Sequence, residues 1–333
     1  MRRLSWLNLD KFSTVWIAAW PSHKVAFSNA EFAEVTARYF GLPSPACSAF
    51  VGHRIPGTRD TVDAYGVRLL SASLPGDGWR VQHDCIKWRI SQDAKEMGFR
   101  LRTEVLGVFT SCLNATARES LAGLPLRQRQ GLIPDFLASF EPSAGAPAKE
   151  ALLELKTLHC GSSTYDPSWS RRCEAVRRRA EKVPGEYVCK ARRLDQRFCG
   201  TAVGETGPVE RKLAPFGEVQ GVVFGTWGEA SLHVEELLSS LVDSGCTRHW
   251  RAMRARGPDE VRGALAWLLR RRWGFTALRE SARLLLDRVH LLQPGVASGG
   301  SRRDLRSGEV AARSRVLAFS LHGRPVCRPC RRG

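Results

Sequence analysis

No stretch of about 18 uncharged apolar residues occurs anywhere in the chain, which excludes a membrane helix legible from sequence. A secretory leader is not expected either. Met1-Arg2-Arg3 is followed by apolar residues, but Asn8, Asp10 and Lys11 interrupt them before a signal-peptide core can form. No internal repeat stands out at a useful period. Zinc-ligand spacing is nearly absent: among ten cysteines only Cys327 and Cys330 form a CxxC, in an Arg-rich tail with no second pair nearby. The others are scattered through predicted helices and strands of a chain too long to be a small disulfide scaffold, so reduced thiols in a soluble, intracellular protein are expected.

Acidic residues are the other shortage. Thirty-three Asp and Glu stand against 51 Lys and Arg, a net charge of +18 carried largely by arginine. Such a balance points to a polyanionic partner, because the guanidinium fork matches phosphate oxygens. The plainer alternative is an arginine content inflated by a GC-rich genome. With 333 residues and 43% apolar content, the chain can bury one sizeable core or two modest ones.

Residues 1–79 read as an irregular lead-in, with a helical stretch around Ala30 to Phe40 and turns at Gly41-Leu42-Pro43, Pro56-Gly57 and Pro75-Gly76-Asp77-Gly78. From Asp84 to Met97, Ile86, Ile90, Ala94 and Met97 recur at helical spacing, and Gly98 is a stop signal. Phe99 to Phe109 alternates like a partly exposed strand. Leu132 to Ala138 and Ala151 to Leu158 are apolar on both faces apart from their acids and one lysine, as central strands are. Asp166 to Val183 and Glu186 to Arg197 read as two helices, the first very basic, and Glu218 to Phe224 as a further strand. Residues 231–293 read as a C-terminal extension with amphipathic helices over 231–242, 258–272 and 276–292. Residues 294–333 form a tail rich in Gly, Ser and Arg, with the composition of a disordered basic segment.

The order helix, three strands, helix, strand matters because two acids and a lysine fall at defined places in it. Residues two apart in a strand share a face, so Glu154 and Lys156 project together. If the two central strands pair as a hairpin, Asp135 lies opposite Glu154, and one pocket holds two carboxylates and an ammonium. Two carboxylates can hold a hard cation such as Mg²⁺ or Mn²⁺ and leave room for water and a phosphate oxygen. The lysine can orient the water and offset developing negative charge. An apolar strand gains nothing by burying such groups unless they are paired or metal-bound. The contrary reading is a strand edge carrying a surface Asp and an incidental Glu/Lys pair.

Ile133-Pro134-Asp135-Phe136, an interval of 18 residues between the acids, and Leu153-Glu154-Leu155-Lys156 resemble the PD-(D/E)XK nuclease motif. A longer stretch, about residues 60–230, resembles the restriction-like endonuclease that follows the reverse transcriptase in LINE-type retroelements. Asp63-Ala64-Tyr65-Gly66, Gly78-Trp79-Arg80-Val81-Gln82-His83-Asp84 and Thr103-Glu104-Val105 carry that likeness. Arg68 and Ser71 stand where the family's Cys/His knuckle has a His and a Cys, so zinc is not expected there. About 60 residues precede the matched stretch and hold no reverse-transcriptase motif. A free-standing relative, a fragment and a host gene of retroelement descent all remain open.

The resemblance implies an α/β fold with a PD-(D/E)XK nuclease-like mixed sheet flanked by helices, occupying residues 80–230. It implies a DNA endonuclease, with Asp135 and Glu154 as metal ligands and Lys156 beside the attacking water. The family also places an acid on or near the first helix, and Asp84 and Glu104 are the candidates. Asp84 is equally readable as a cap of the helix from Cys85, and Glu104 as a partner of Arg100 or Arg102. Arg171, Arg172, Arg177 and Arg178 are the candidate phosphate contacts, with a solvated face as the alternative. DNA, or else RNA, is the expected partner, in the nucleus, with a homodimer if both strands are cut. The competing function is a nucleic-acid-binding protein that keeps the nuclease fold without turnover, and a third is a helical interaction protein.

Overall fold

The computed structural model describes residues 11–17, 26–104, 108–123, 133–140, 149–161, 164–165 and 173–293. Residues 1–292 cluster as one compact unit. The expected basic tail, 294–333, lies outside the described residues, as does the CxxC within it.

Ser28 opens helix α1 (Asn29–Tyr39) with a reciprocal cap: its hydroxyl accepts from the Glu31 amide, and the Glu31 carboxylate accepts from the Ser28 amide. A short helix, α2 (Val67–Ser71), follows the turn-rich segment. Helix α3 runs from Gly78 to Met97, six residues earlier at its start than the periodicity predicts. Asp84 therefore sits in the second turn and does not cap the helix. Gly98 ends it at φ 76°, its amide bonding back to Ala94 and Lys95, and only a residue without Cβ takes that turn cheaply.

Strand β1 (Arg100–Thr103) is shorter than the expected 99–109 run, because Glu104 turns out of it at φ 48°. Helix α4 (Ala115–Ala122) is capped by the Asn114 side chain on the Ala117 amide. Strands β2 (Phe136–Phe140) and β3 (Lys149–Thr157) form the expected antiparallel pair. The expected start of the first of these at Leu132 lies outside the described residues, and Asp135 stands immediately before β2 rather than within it.

Helix α5 (Cys173–Phe198) is continuous where two helices were expected. Pro184 removes the amide that would bond Ala180, yet both halves of the helix pack on the sheet and hold its axis. A short α6 (Pro208–Leu213) leads to β4 (Gln220–Phe224), which joins β3 in parallel. Gly221 of β4 lets α5 cross the strand closely: a Cβ there would lie 2.7 Å from the Ala180 Cα. Helices α7 (Leu232–His249) and α8 (Pro258–His290) complete the described chain. The latter replaces two expected helices, and its Gly274 lets the backbone carbonyl of Phe12 approach, 2.6 Å from where a Cβ would stand.

The fold is mixed α/β, a four-stranded mixed sheet in the order β1-β2-β3-β4 flanked by helices. Alternation along the strands sorts the core. Phe136, Ala138, Leu153, Leu155, Val222 and Phe224 face the apolar sides of α3, α7 and α8. Leu137 and Leu152 face α5, α6 and α4. Helices α3 and α7 lie on that face of the sheet and α8 packs on both of them, so residues 231–293 share a core with the strands rather than standing apart as an extension. No helix among the described residues is long and apolar enough to cross a membrane, and their eight cysteines are all free thiols.

Candidate functional site

The β2–β3 register pairs Phe136 with Leu153, so one residue further along Asp135 falls opposite Glu154. By alternation Glu154 and Lys156 share the face of Leu152, the face covered by α5. Asp135 ends the ladder in a specific way. Its carbonyl still accepts from the Glu104 amide at 3.1 Å, but the Leu155 amide of β3 is bonded by its carboxylate, at 2.9 Å. The side chain is thereby fixed against β3.

Helix α3 brings two cations to the same carboxylate. His83 Nε2 lies 3.2 Å from Asp135 Oδ2 and its Nδ1 lies 3.1 Å from Asp84 Oδ1. Burial disfavours the imidazolium, but these two carboxylates more than offset it and raise the pKa to about 9. Lys87, one turn on, places Nζ 2.6 Å from Glu104, 3.4 Å from Asp84 and 3.6 Å from Asp135. Burial opposes the charge of Lys87 too, and the three acids hold its pKa above the usual lysine value. Asp135 titrates below the usual range: desolvation raises its pKa, but His83, Lys87 and the Leu155 amide lower it further.

Glu154 is buried and takes two strong donors, Lys156 Nζ on Oε1 and the Tyr187 hydroxyl on Oε2, each at 2.5 Å. Burial, with Glu154 close by, drives the Tyr187 pKa far above that of a free phenol, so the hydroxyl is a permanent donor. Two polar groups result at the open end of the β2–β3 hairpin, one around Asp135 on the α3 side and one around Glu154 on the α5 side.

The structure thus gathers Asp84, Glu104, Asp135, Glu154 and Lys156 around this hairpin end. It does not give Glu104 the strand geometry expected of it. Glu104 sits just past β1, its side chain 64% exposed, and pairs with Lys87 rather than with Arg100 or Arg102. Asp84 is nearer to the cluster through His83 and Lys87. Arg177 and Arg178 lie on the exposed face of α5 and are both engaged by Glu174, Arg177 also by Glu181. Arg171 and Arg172 lie outside the described residues.

Lys87 went unread in the sequence, and so did the polar role of Tyr187, whose core packing was expected. Lys87 follows His83 by four and Asp84 by three residues, the spacing of one helix face. Tyr187 falls among Val183, Ala191 and Leu194 on the apolar stripe of α5, and a buried phenol needs a hydrogen-bond partner. Either pattern was a usable signal.

As donors for a hard cation, Asp135 and Glu154 offer oxygen only, and the strand register sets them opposite each other. Among the described residues no three His, Cys, Asp or Glu side chains form a ready metal-binding group. At present the positive charge beside these carboxylates comes from His83, Lys87 and Lys156. Comparison with known proteins finds no matching family model, no matching curated protein and no matching solved structure.

Proposed function

We propose that the protein is a metal-dependent endonuclease of the PD-(D/E)XK, restriction-like type that hydrolyses DNA phosphodiester bonds, of the retroelement lineage its motifs resemble. The observation that carries this reading is the opposition of Asp135 to Glu154 across the β2–β3 hairpin, with Lys156 bonded to Glu154. The α3–β1–β2–β3–α5–β4 order, with short helices α4 and α6 inserted after β1 and α5, is antiparallel through β3 and then parallel and supports the nuclease-like fold.

In this scheme Asp135 and Glu154 hold Mg²⁺ or Mn²⁺, which when bound supplies Lewis-acid polarisation of a phosphate oxygen and a more acidic water. Lys156 orients the water, since its Nζ already sits on the carboxylate that would flank it. His83 and Lys87 fix Asp135 and offset negative charge arriving with the substrate. Asp84, held between them, is the better-placed third acid, and Glu104 serves to anchor Lys87. The basic face of α5, with Arg177 and Arg178 and continuing to Arg171 and Arg172 in the sequence, is the proposed backbone-binding surface. DNA as substrate agrees with a nuclear location, RNA being the competing polymer. Cutting both strands would take two copies or two sequential nicks.

A second reading has a specific observation behind it. Both carboxylates are already satisfied by protein donors, as in a site that binds nucleic acid without turnover. Nicking of supercoiled plasmid with Mg²⁺ or Mn²⁺ separates the two. Endonuclease function predicts nicking by the wild type that is lost in Lys156→Ala. Equal nicking by both proteins, or none by either while DNA is still bound, removes the endonuclease reading.

A further inference from the structure

Strands β3 and β4 run parallel and end at Thr157 and Phe224. Three residues beyond each end, Cys160 and Trp227 line a cavity of about 210 Å³. Crevices at the carboxyl ends of parallel strands are where α/β sheets commonly bind ligands. Leu42, Val67 and Leu70 supply apolar wall, and α1 contributes two charged residues, Glu34 and Arg38. None of these belongs to the acid cluster.

The two charged residues are differently served. Glu34 has both oxygens occupied, by the Ser44 hydroxyl at 2.8 Å and the Ala46 amide at 2.7 Å. Arg38 spends Nη1 on Ser281 at 2.6 Å, while its buried Nη2 has no hydrogen-bond partner. Glu34 acts on it through space, without a hydrogen bond between them. A buried guanidinium with an unmet donor costs free energy that a ligand acceptor would return. Burial pulls the Arg38 pKa below its usual value, another sign of an unbalanced site.

We propose that this cavity binds a small carboxylic acid with an apolar body, its carboxylate on Arg38. A carboxylate oxygen supplies the acceptor that Arg38 Nη2 lacks, and a monoanion adds the least charge beside Glu34. A phosphate dianion would bring a second charge towards Glu34 in the same wall. The volume lies below the 300–1,000 Å³ typical of drug-sized ligands, which restricts the body to a single ring or a branched chain. Trp227 and the three aliphatic side chains bury that body.

Calorimetric titration of the full chain with benzoate and 3-methylbutanoate tests this, with benzyl alcohol and inorganic phosphate as comparisons. Saturable binding of at least one acid is expected, at least about tenfold weaker for benzyl alcohol and phosphate. Leu42→Trp acts at the rim, where Leu42 is 54% exposed, and should block binding while leaving circular dichroism and melting unchanged. Arg38→Met should weaken binding at least as much, and the Leu42 variant keeps the test decisive if Arg38→Met fails to fold. No saturable binding of either acid, equal binding of benzyl alcohol or phosphate, or undiminished binding by folded Leu42→Trp would overturn the proposal. Loss or persistence of DNA nicking bears on neither outcome, so the two readings fail separately.

Discussion

Replacing Tyr187 with Phe removes one hydroxyl and leaves the ring in its place among Val183, Ala191, Leu137 and Leu152. The ring is 3% exposed, so its packing is kept and the change isolates the bond to Glu154 Oε2. That bond ends on a buried carboxylate, and hydrogen bonds to charged groups contribute about 1.5–3 kcal/mol. Lys156 holds the other oxygen, so Glu154 keeps one strong donor and the loss should fall near the middle, about 2 kcal/mol. With a urea m-value of about 3 kcal/mol/M, the unfolding midpoint drops by about 0.7 M. A double-mutant cycle with Glu154→Gln should return a coupling of at least about 1 kcal/mol. A Tyr187→Phe protein within about 0.5 kcal/mol of wild type, or a cycle without coupling, would show that the phenol does not hold Glu154 and that the cluster is wrongly drawn.

His159 is held neutral, its pKa lowered to about 4 by burial first and by Arg288 and Arg38 second. The unfolded chain takes up a proton near pH 6.5, so this stability is complete above pH 6.5 and is lost as pH falls towards 4, by about 2–3 kcal/mol. Unfolding of His159→Gln measured at pH 7 and pH 4.5 should show a smaller acid loss than wild type; equal losses would contradict the assignment. Gly221→Val forces a side chain against Ala180 of α5 and should lower stability by about 1–3 kcal/mol, read as a fall in melting temperature. An unchanged melting temperature would mean that α5 and β4 do not cross so closely. For the proposed DNA surface, the double variant Arg177→Ala, Arg178→Ala should reduce the slope of log affinity against log salt by up to about 2. An unchanged slope would place the phosphates elsewhere.

The strands were legible because strand periodicity needs only a few residues: Glu154 and Lys156, two apart and bounded by apolar neighbours, share one face. The opposition of Asp135 to Glu154 followed from the antiparallel pair itself. Helix boundaries were less legible, for a physical reason that Pro184 illustrates. Local propensity ends a helix there, whereas packing of both flanking turns against the sheet sustains it. Likewise Gly274, in the gap between the helices expected over 258–272 and 276–292, sits in mid-helix with the Phe12 backbone passing against it. The start of α3 was placed late because Trp79, Val81 and Gln82 break the clean apolar stripe that begins at Ile86. Lys87 and the bond of Tyr187 to Glu154 were missed because each is defined by what approaches from a distant element: Glu104 and Asp135 for the first, Glu154 for the second.

The central claim is that Asp135 and Glu154 share one cation, and Mn²⁺ titration followed by electron paramagnetic resonance tests it most directly. The wild-type protein should take up Mn²⁺ saturably, with affinity reduced at least about tenfold in Asp135→Asn and in Glu154→Gln, both retaining the wild-type circular dichroism. Identical Mn²⁺ binding by the three proteins, or none by the wild type, would contradict it.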